Sequence, residues 1–245
     1  MNLTIDQGNS RTKVALFDKD GKIKKSFIYR TFTSADVERL FALYDIEASI
    51  ISSVISIEPA IVNALHRLSK HFILFDHLTP IPLKNDYGTP ETLGQDRLAA
   101  AIGAAYLCPN ENLLIIDAGS AITFDFVSED NTFLGGNITA GIKMRFKALH
   151  QMTKKLPLVD ADENELMPLI AKNTRDAIVT GVIRGIAMEV KGYIRALKEN
   201  VAHSVTFLTG GHAPYILHHV AGDDIRYEKN LVLIGLNRIL NYNAQ

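Results

Sequence analysis

The sequence predicts an α/β protein of two similar domains, each a mixed β-sheet in the order βββαβαβ with helices on its flanks. Two observations carry that prediction. One hairpin is written twice, as Asp6-Gln7-Gly8-Asn9-Ser10-Arg11-Thr12 and as Asp117-Ala118-Gly119-Ser120-Ala121-Ile122-Thr123. Each copy is led in by an apolar run (Leu3-Thr4-Ile5 and Leu113-Leu114-Ile115-Ile116) and followed by another β-rich run. Each therefore reads as strand, tight glycine turn, strand. Ile5 and Ile116, Gly8 and Gly119, Thr12 and Thr123 stand at one constant separation, the mark of a duplicated unit. The second observation is the alternation of β-rich and helix-like stretches after the first hairpin. The 245 residues accommodate two domains, which the repeat places at 1–110 and 111–245.

In chain order, residues 2–8, 11–18 and 22–31 read as three strands, with Asp18-Lys19-Asp20-Gly21 as the second turn. Ser34 is the candidate cap of a helix through Leu40 to Tyr44. Ala48 to Ile55 reads as a buried β-branched strand, Glu58-Pro59 opens a helix to about Lys70, and His71 to Asp76 is another strand. This order is that of the ribonuclease-H-like domain of actin, sugar kinases and heat-shock chaperones. The loop from Pro82 runs into Leu98-Ala99-Ala100-Ala101-Ile102-Gly103-Ala104-Ala105, an alanine-rich helix suited to close packing. Leu113 to Asn137 gives three further strands, followed by helices over about 142–154 and from Asn173-Thr174 onward, with Thr174 as the candidate cap. Apolar positions Ile178, Val182, Ile183, Ile186 and Val190 keep a helical period. A strand over Val205–Leu208 ends in Thr209-Gly210-Gly211-His212, and Asn230 to Asn243 reads as a strand or turn and a closing helix. Asp160 to Asn164 is an acidic connector, expected to be the most mobile stretch.

Composition narrows the function classes. A net charge of −1 gives no field to draw the chain to nucleic acid or a membrane surface. The single cysteine, Cys108, excludes an internal disulfide and a multi-thiolate zinc site, and reads as a small semi-buried residue. No apolar run reaches the length of about 18 residues that marks a spanning helix, and the start Met-Asn-Leu-Thr-Ile-Asp has no basic leader. The expectation is a cytoplasmic protein with no membrane or nucleic-acid partner.

The two turns carry the chemistry. Glycine lets backbone approach a ligand, exposed N–H groups and Ser or Asn side chains donate to phosphate oxygens, and an Asp at the strand end holds a cation or its water shell beside them. Two facing copies would clamp a nucleotide. One copy alone would be an ordinary hairpin with an Asx turn; two with matched Asp, Gly and Thr favour phosphate. The loop Pro82–Arg97 holds Tyr87, Gly94, Asp96 and Arg97. Singly, Tyr87 is a loop aromatic, Asp96 a helix-start carboxylate favoured by the helix dipole and Arg97 a surface ion-pair partner. Together, in a long loop, they read as a substrate site. The glycine entry at Thr139-Ala140-Gly141 suits either an anion on backbone N–H groups or close strand–helix packing. Thr209 to His212 suits the adenosine part of a nucleotide or a tight turn only, and His212 reads as structural.

These motifs in this order, Asp6 to Ser10 with Lys13, Tyr87-Gly88, Gly94 to Arg97, Asp117 to Thr123, Gly135-Gly136-Asn137-Ile138 with Gly141, and Asn173-Thr174, make the whole chain resemble a type III pantothenate kinase of the acetate and sugar kinase/heat-shock/actin superfamily. The resemblance implies ATP-dependent phosphorylation of the primary hydroxyl of pantothenate to 4′-phosphopantothenate, the first step of coenzyme A biosynthesis. It implies that Asp6, Gln7, Gly8, Asn9, Ser10, Arg11, Thr12 and Lys13 line the ATP phosphates, with Ser120 adding a nucleotide contact. By the same resemblance Tyr87, Gly94, Gln95, Asp96, Arg97 and Thr174 bind pantothenate, Asp96 is the catalytic base, and Asp117 holds potassium or ammonium in addition to Mg2+ with ATP. Arg97 meets either the pantothenate carboxylate or the transferring phosphate. Family members are homodimers. This sequence departs from the pattern mildly: Gln95 stands where Ala is usual, Ser10 and Ser120 where Thr is common, and Ala140 where Pro is common.

Two other classes share the scaffold. A polyphosphate or nucleotide phosphohydrolase would release phosphate without pantothenate. An ATP-binding transcriptional accessory factor would be favoured by loss of Asp96 or Asp117, and both are present.

Overall fold

The computed structural model describes residues 1–161, 167–201, 203–220 and 225–244. Of the acidic connector expected at 160–164, residues 162–164 lie outside this range. The chain folds as two compact units, one of residues 1–110, 127–134 and 230–245, the other of 111–126 and 135–229.

The first unit opens with β1 (Asn2–Gln7), β2 (Thr12–Phe17) and β3 (Ile23–Tyr29). Asp18 makes the second turn: its Oδ1 accepts from the N–H groups of Asp20 at 3.0 Å and Lys22 at 2.8 Å. Then come α1 (Ser34–Leu43), β4 (Ala48–Ser53), α2 (Pro59–Leu68) and β5 (His71–Leu74), the expected βββαβαβ order. The cap of α1 is Thr33 and not Ser34: the Asp36 carboxylate accepts from both Thr33 N–H (2.9 Å) and Thr33 Oγ1 (2.8 Å), which fixes the helix start one residue earlier. The strands form one sheet in the order β3-β2-β1-β4-β5, with β1 antiparallel to β2 and parallel to β4. One face buries Leu3, Ile5, Val14, Leu16 and Ile51 against Val37 and Leu40 of α1 and Ile61 and Leu65 of α2. Each such side chain contributes about 1.5–3 kcal/mol when fully buried.

The rest of this unit is β6 (Lys84–Asn85), a 3-10 turn at Pro90–Thr92, α3 (Gln95–Leu107), the start of a later strand that pairs Lys84 with Thr132 and Asn85 with Phe133, and the closing helix described below as α7 (Leu231–Tyr242). The alanine-rich α3 packs on α7 so closely that a side chain at Gly103 would collide with Leu231 O, and one at Gly235 with Ala99 O. Helix α7 in turn covers β1, and Asn2 Nδ2 donates to Asn237 Oδ1 at 2.9 Å and Asn241 Oδ1 at 2.7 Å.

The second unit contains β7 (Asn112–Ala118), β8 (Ala121–Val127), most of β9 (Thr132–Ala140), α4 (Ile142–Gln151), α5 (Thr174–Asn200), β10 (Ser204–Thr209), α6 (Ala213–His219) and β11 (Ile225–Tyr227). Its strand order, β9-β8-β7-β10-β11, repeats that of the first sheet, with β10 parallel to β7 as β4 is to β1. One face buries Leu114, Ile116, Ala118, Ile122, Phe124 and Leu208 against α4, α5 and α6, including all five periodic positions of α5. The α5 cap is Asn173 and not Thr174: Asn173 is extended, its Oδ1 accepts from Asp176 N–H at 2.9 Å, and its Nδ2 donates to Asp176 Oδ2 at 2.7 Å.

Candidate active site

In the first unit, Asp6 sits near the end of β1, almost fully buried, with Lys13 of β2 and Ser52 of β4 as its register neighbours. The turn beyond closes through Gly8 N–H to Arg11 O at 3.1 Å, which leaves Asn9, Ser10 and Arg11 exposed at the tip. Gln7 lies against Ser53, whose Oγ is 3.3 Å from Gln7 O and 3.2 Å from Gln7 Oε1. The structure thus brings Asp6 through Lys13 together as one strand–turn–strand unit, with its polar tip open to solvent.

The loop expected to bind substrate lies in the same unit. Gly94 is the N-cap of α3, so Gln95, Asp96 and Arg97 form its first turn. Asp96 Oδ1 accepts from Arg97 N–H at 2.8 Å, the helix-start role its position suggests, and that bond leaves Oδ2 for another partner. Gln95 Nε2 donates to Leu93 O at 3.1 Å, while its Oε1 is buried with no hydrogen-bond partner. Arg97 is not a surface ion-pair residue. It is 6% exposed, and its guanidinium lies over the Tyr87 ring at 5.6 Å from the centroid. Tyr87 is held from behind by Phe133, with ring centroids 6.1 Å apart, and its N–H donates to Asn85 Oδ1 at 3.1 Å. Tyr87, Asp96 and Arg97 therefore belong to one local assembly built on β6 and the start of α3.

In the second unit, Asp117 lies near the end of β7, half-buried, and Ser120 is exposed at the turn. This turn is tighter than the first: Gly119 N–H donates to Ala121 O at 3.0 Å, and β8 begins at Ala121. A side chain at Gly141 would run into the Ser120 carbonyl, so close packing accounts for the glycine at the entry to α4. Arg145 fastens that entry, donating to Ala140 O at 2.7 Å and, from both NH groups, to the Glu189 carboxylate. His212 is structural here: its N–H donates to Ala118 O at 2.9 Å and its Nδ1 lies 3.1 Å from Gly119 O. Thr174 is the exposed first residue of α5. Among the described residues no three His, Cys, Asp or Glu side chains form a metal-holding group.

Topology adds Ser52, which no motif included, and gives Thr209, read from the sequence as part of a glycine turn, a new neighbour. Ser52 stands beside Asp6, and Thr209 beside Asp117, at equivalent places in the two sheets. Both are buried, and neither hydroxyl has a hydrogen-bond partner. Their signal was the polar residue at the end of an apolar strand; their pairing with the two aspartates is set by sheet register, which no sequence spacing displays.

The family model described as type III pantothenate kinase matches residues 2–196 of this chain. The chain belongs to the type III pantothenate kinase family. A type III pantothenate kinase of Phocaeicola vulgatus is 43% identical over 243 residues, with 99% of each chain covered. Among solved structures, a Campylobacter jejuni protein assigned to the Baf family of transcriptional activators matches with a TM-score of 0.64 at 24% identity, covering 99% of this chain and 98% of that one. A Sinorhizobium meliloti protein described as a 2-dehydro-3-deoxygalactonokinase matches with a TM-score of 0.61 at 14% identity, covering 99% of both. These two show the fold, which is the actin-like kinase fold of paired ribonuclease-H-like domains. No helix among the described residues is long and apolar enough to cross a membrane.

Proposed function

We propose that this chain is a pantothenate kinase that transfers the γ-phosphoryl group of ATP to the primary hydroxyl of pantothenate, giving 4′-phosphopantothenate and ADP, the first step of coenzyme A biosynthesis. The observation that carries the reading is membership of the type III family over nearly the whole chain, with Asp6, Asp96 and Asp117 all present and only mild departures at Ser10, Gln95 and Ser120. The enzyme is a kinase and uses ATP with a divalent metal; its substrates are ATP and pantothenate.

The residue roles are those that the family resemblance implies, read with the chemistry of the groups present. Asp6 to Lys13 bind the ATP phosphates through the open turn, with Lys13 as the point charge and Ser120 as a further nucleotide contact. Phosphoryl transfer depends mainly on positioning and charge neutralisation. Mg2+ carried with ATP would supply charge neutralisation at the phosphate oxygens. The partnerless Ser52 hydroxyl beside the Asp6 carboxylate is an oxygen pair suited to holding such an ion or its water. Asp96 Oδ2 accepts the hydrogen bond of the attacking alcohol and takes its proton late, while Oδ1 stays on Arg97 N–H and fixes the carboxylate plane. Tyr87, Gly94, Gln95, Arg97 and Thr174 bind pantothenate. Asp117 holds a monovalent cation, potassium or ammonium. Residues 1–110 supply the first turn and substrate loop and 111–245 the second turn. The enzyme works as a cytoplasmic homodimer.

The test is purified protein with ATP and Mg2+, with and without pantothenate, and with potassium exchanged for sodium. Pantothenate-dependent ADP formation supports the reading. ATP hydrolysis indifferent to pantothenate would make the chain a phosphohydrolase.

A further inference from the structure

Asp117 stands between two hydroxyl residues on one face of the second sheet. Along β7, Leu114, Ile116 and Ala118 point into the helix-covered core, as do Leu208 of β10 and Ile122 and Phe124 of β8. Successive side chains of a strand alternate between faces, so Asp117, Thr209 and Thr123 share the opposite face, in the strand order β10-β7-β8. Thr209 is the register partner of Asp117 in the parallel pairing. Thr209 is 1% exposed, and neither Thr209 Oγ1 nor Thr123 Oγ1 has a hydrogen-bond partner. Leaving a hydroxyl buried and unbonded costs about 1–3 kcal/mol, and valine would fill the same volume without that cost. The carboxylate is also held toward the Thr209 end. Gly210 has φ +95°, and a side chain there would strike Asp117 Oδ1 and the Ala118 backbone.

One carboxylate flanked by two neutral oxygens balances a single positive charge. Neutral oxygen dipoles in fixed places replace the water shell of a large monovalent ion. Mg2+ surrenders its waters reluctantly and is commonly held through them, so dry hydroxyls offer it little. We propose that Thr209 and Thr123 supply neutral oxygen ligands, on either side of Asp117, to a monovalent cation. The inference rests on the assignment of Asp117 as the cation residue and extends it to two residues with no such role so far.

The experiment compares wild type with Thr209→Val, Thr123→Val, Thr209→Ser and Asp117→Asn at constant ionic strength, potassium being replaced by tetramethylammonium. Two quantities are read: the potassium-dependent rise in Tm, without substrates, and the potassium concentration for half-maximal activation. Each Val variant should need about 5- to 10-fold more potassium, the equivalent of one lost polar contact, and should show a smaller potassium-induced rise in Tm. Thr209→Ser should stay near the wild-type curve. If Asp117→Asn abolishes the potassium response while both Val variants titrate like wild type, the threonine ligands are wrong and Asp117 stands. If wild type ignores potassium, or Asp117→Asn leaves its titration unchanged, the Asp117 assignment fails and takes the inference with it. Should Thr209→Val not fold, Thr123→Val carries the same decision alone.

Discussion

The Arg97 guanidinium lies over the ring of Tyr87, 5.6 Å from its centroid, and this contact joins the loop proposed to bind substrate to the first turn of α3. It orders a buried cation without spending its hydrogen-bond donors on the ring. A cation–π contact of this kind contributes about 0.5–2 kcal/mol. Tyr87→Phe keeps the ring face and should change KM for pantothenate by less than about 2-fold. Tyr87→Ala removes the platform and should raise that KM by about 2- to 30-fold, the same energy expressed as binding. Steady-state kinetics at saturating ATP measure both. Equal KM values for the two variants would mean that the ring does not position Arg97 for substrate.

Under the proposed base role Asp96 separates fold from chemistry, because its two oxygens would do different work. Oδ1 accepts from Arg97 N–H at 2.8 Å, and an asparagine carbonyl oxygen can accept the same bond. Asp96→Asn should therefore keep Tm within about 2 °C, since the helix-start bond survives. Its amide nitrogen cannot accept the alcohol proton, so kcat should fall by about 10²- to 10⁴-fold. Near-normal turnover at saturating pantothenate would remove Asp96 from the base role.

The repeated hairpin was legible because its signals are local: an apolar run, a glycine turn and an aspartate at the strand end. The turn lengths were not. Thr12 opens β2, whereas Thr123 is the third residue of β8, so a constant spacing of letters conceals a four-residue connection in one copy and a two-residue connection in the other. Both misassigned caps have a common cause. Thr33 and Asn173 each stand three residues before an aspartate, Asp36 and Asp176, and that reciprocal bond outranks the neighbouring hydroxyl of Ser34 or Thr174. The pairing of Ser52 with Asp6 and of Thr209 with Asp117 stayed hidden for another reason. Parallel pairing across a helical crossover sets their neighbours, and that register is a tertiary property. The short elements β6 and β11 went unread, being too brief to show a period.

Two glycines should respond oppositely to the same substitution. Gly210 has φ +95°, and a methyl group there would meet Asp117 and Ala118. Gly210→Ala should cost about 2–4 kcal/mol through backbone strain and the collision together. Gly192 lies inside α5 with nothing within 4 Å of an added methyl. Gly192→Ala should gain about 0.5–1 kcal/mol from helix propensity. Chemical denaturation of the two variants beside wild type decides this; a stabilised Gly210→Ala would contradict the close approach of Asp117 to that backbone.

His219, the last residue of α6, gives the fold an acid-sensitive point. Burial first, then the charges of His218 and Arg184, hold its imidazole below the usual value of 6.5. Its Nε2 is buried without a hydrogen-bond partner, and its ring packs 5.6 Å from Tyr215 and 5.2 Å from His218, centroid to centroid. The folded state therefore favours the neutral ring, while the unfolded chain takes up a proton near pH 6.5. The unfolded state binds more protons across that window, so stability rises with pH through it and is lost as pH falls from 6.5 through the lowered folded value. Urea unfolding at several pH values from neutrality downward should show this decline in wild type and a shallower one in His219→Gln. Parallel pH profiles for the two proteins would show that the imidazole titrates alike in both states.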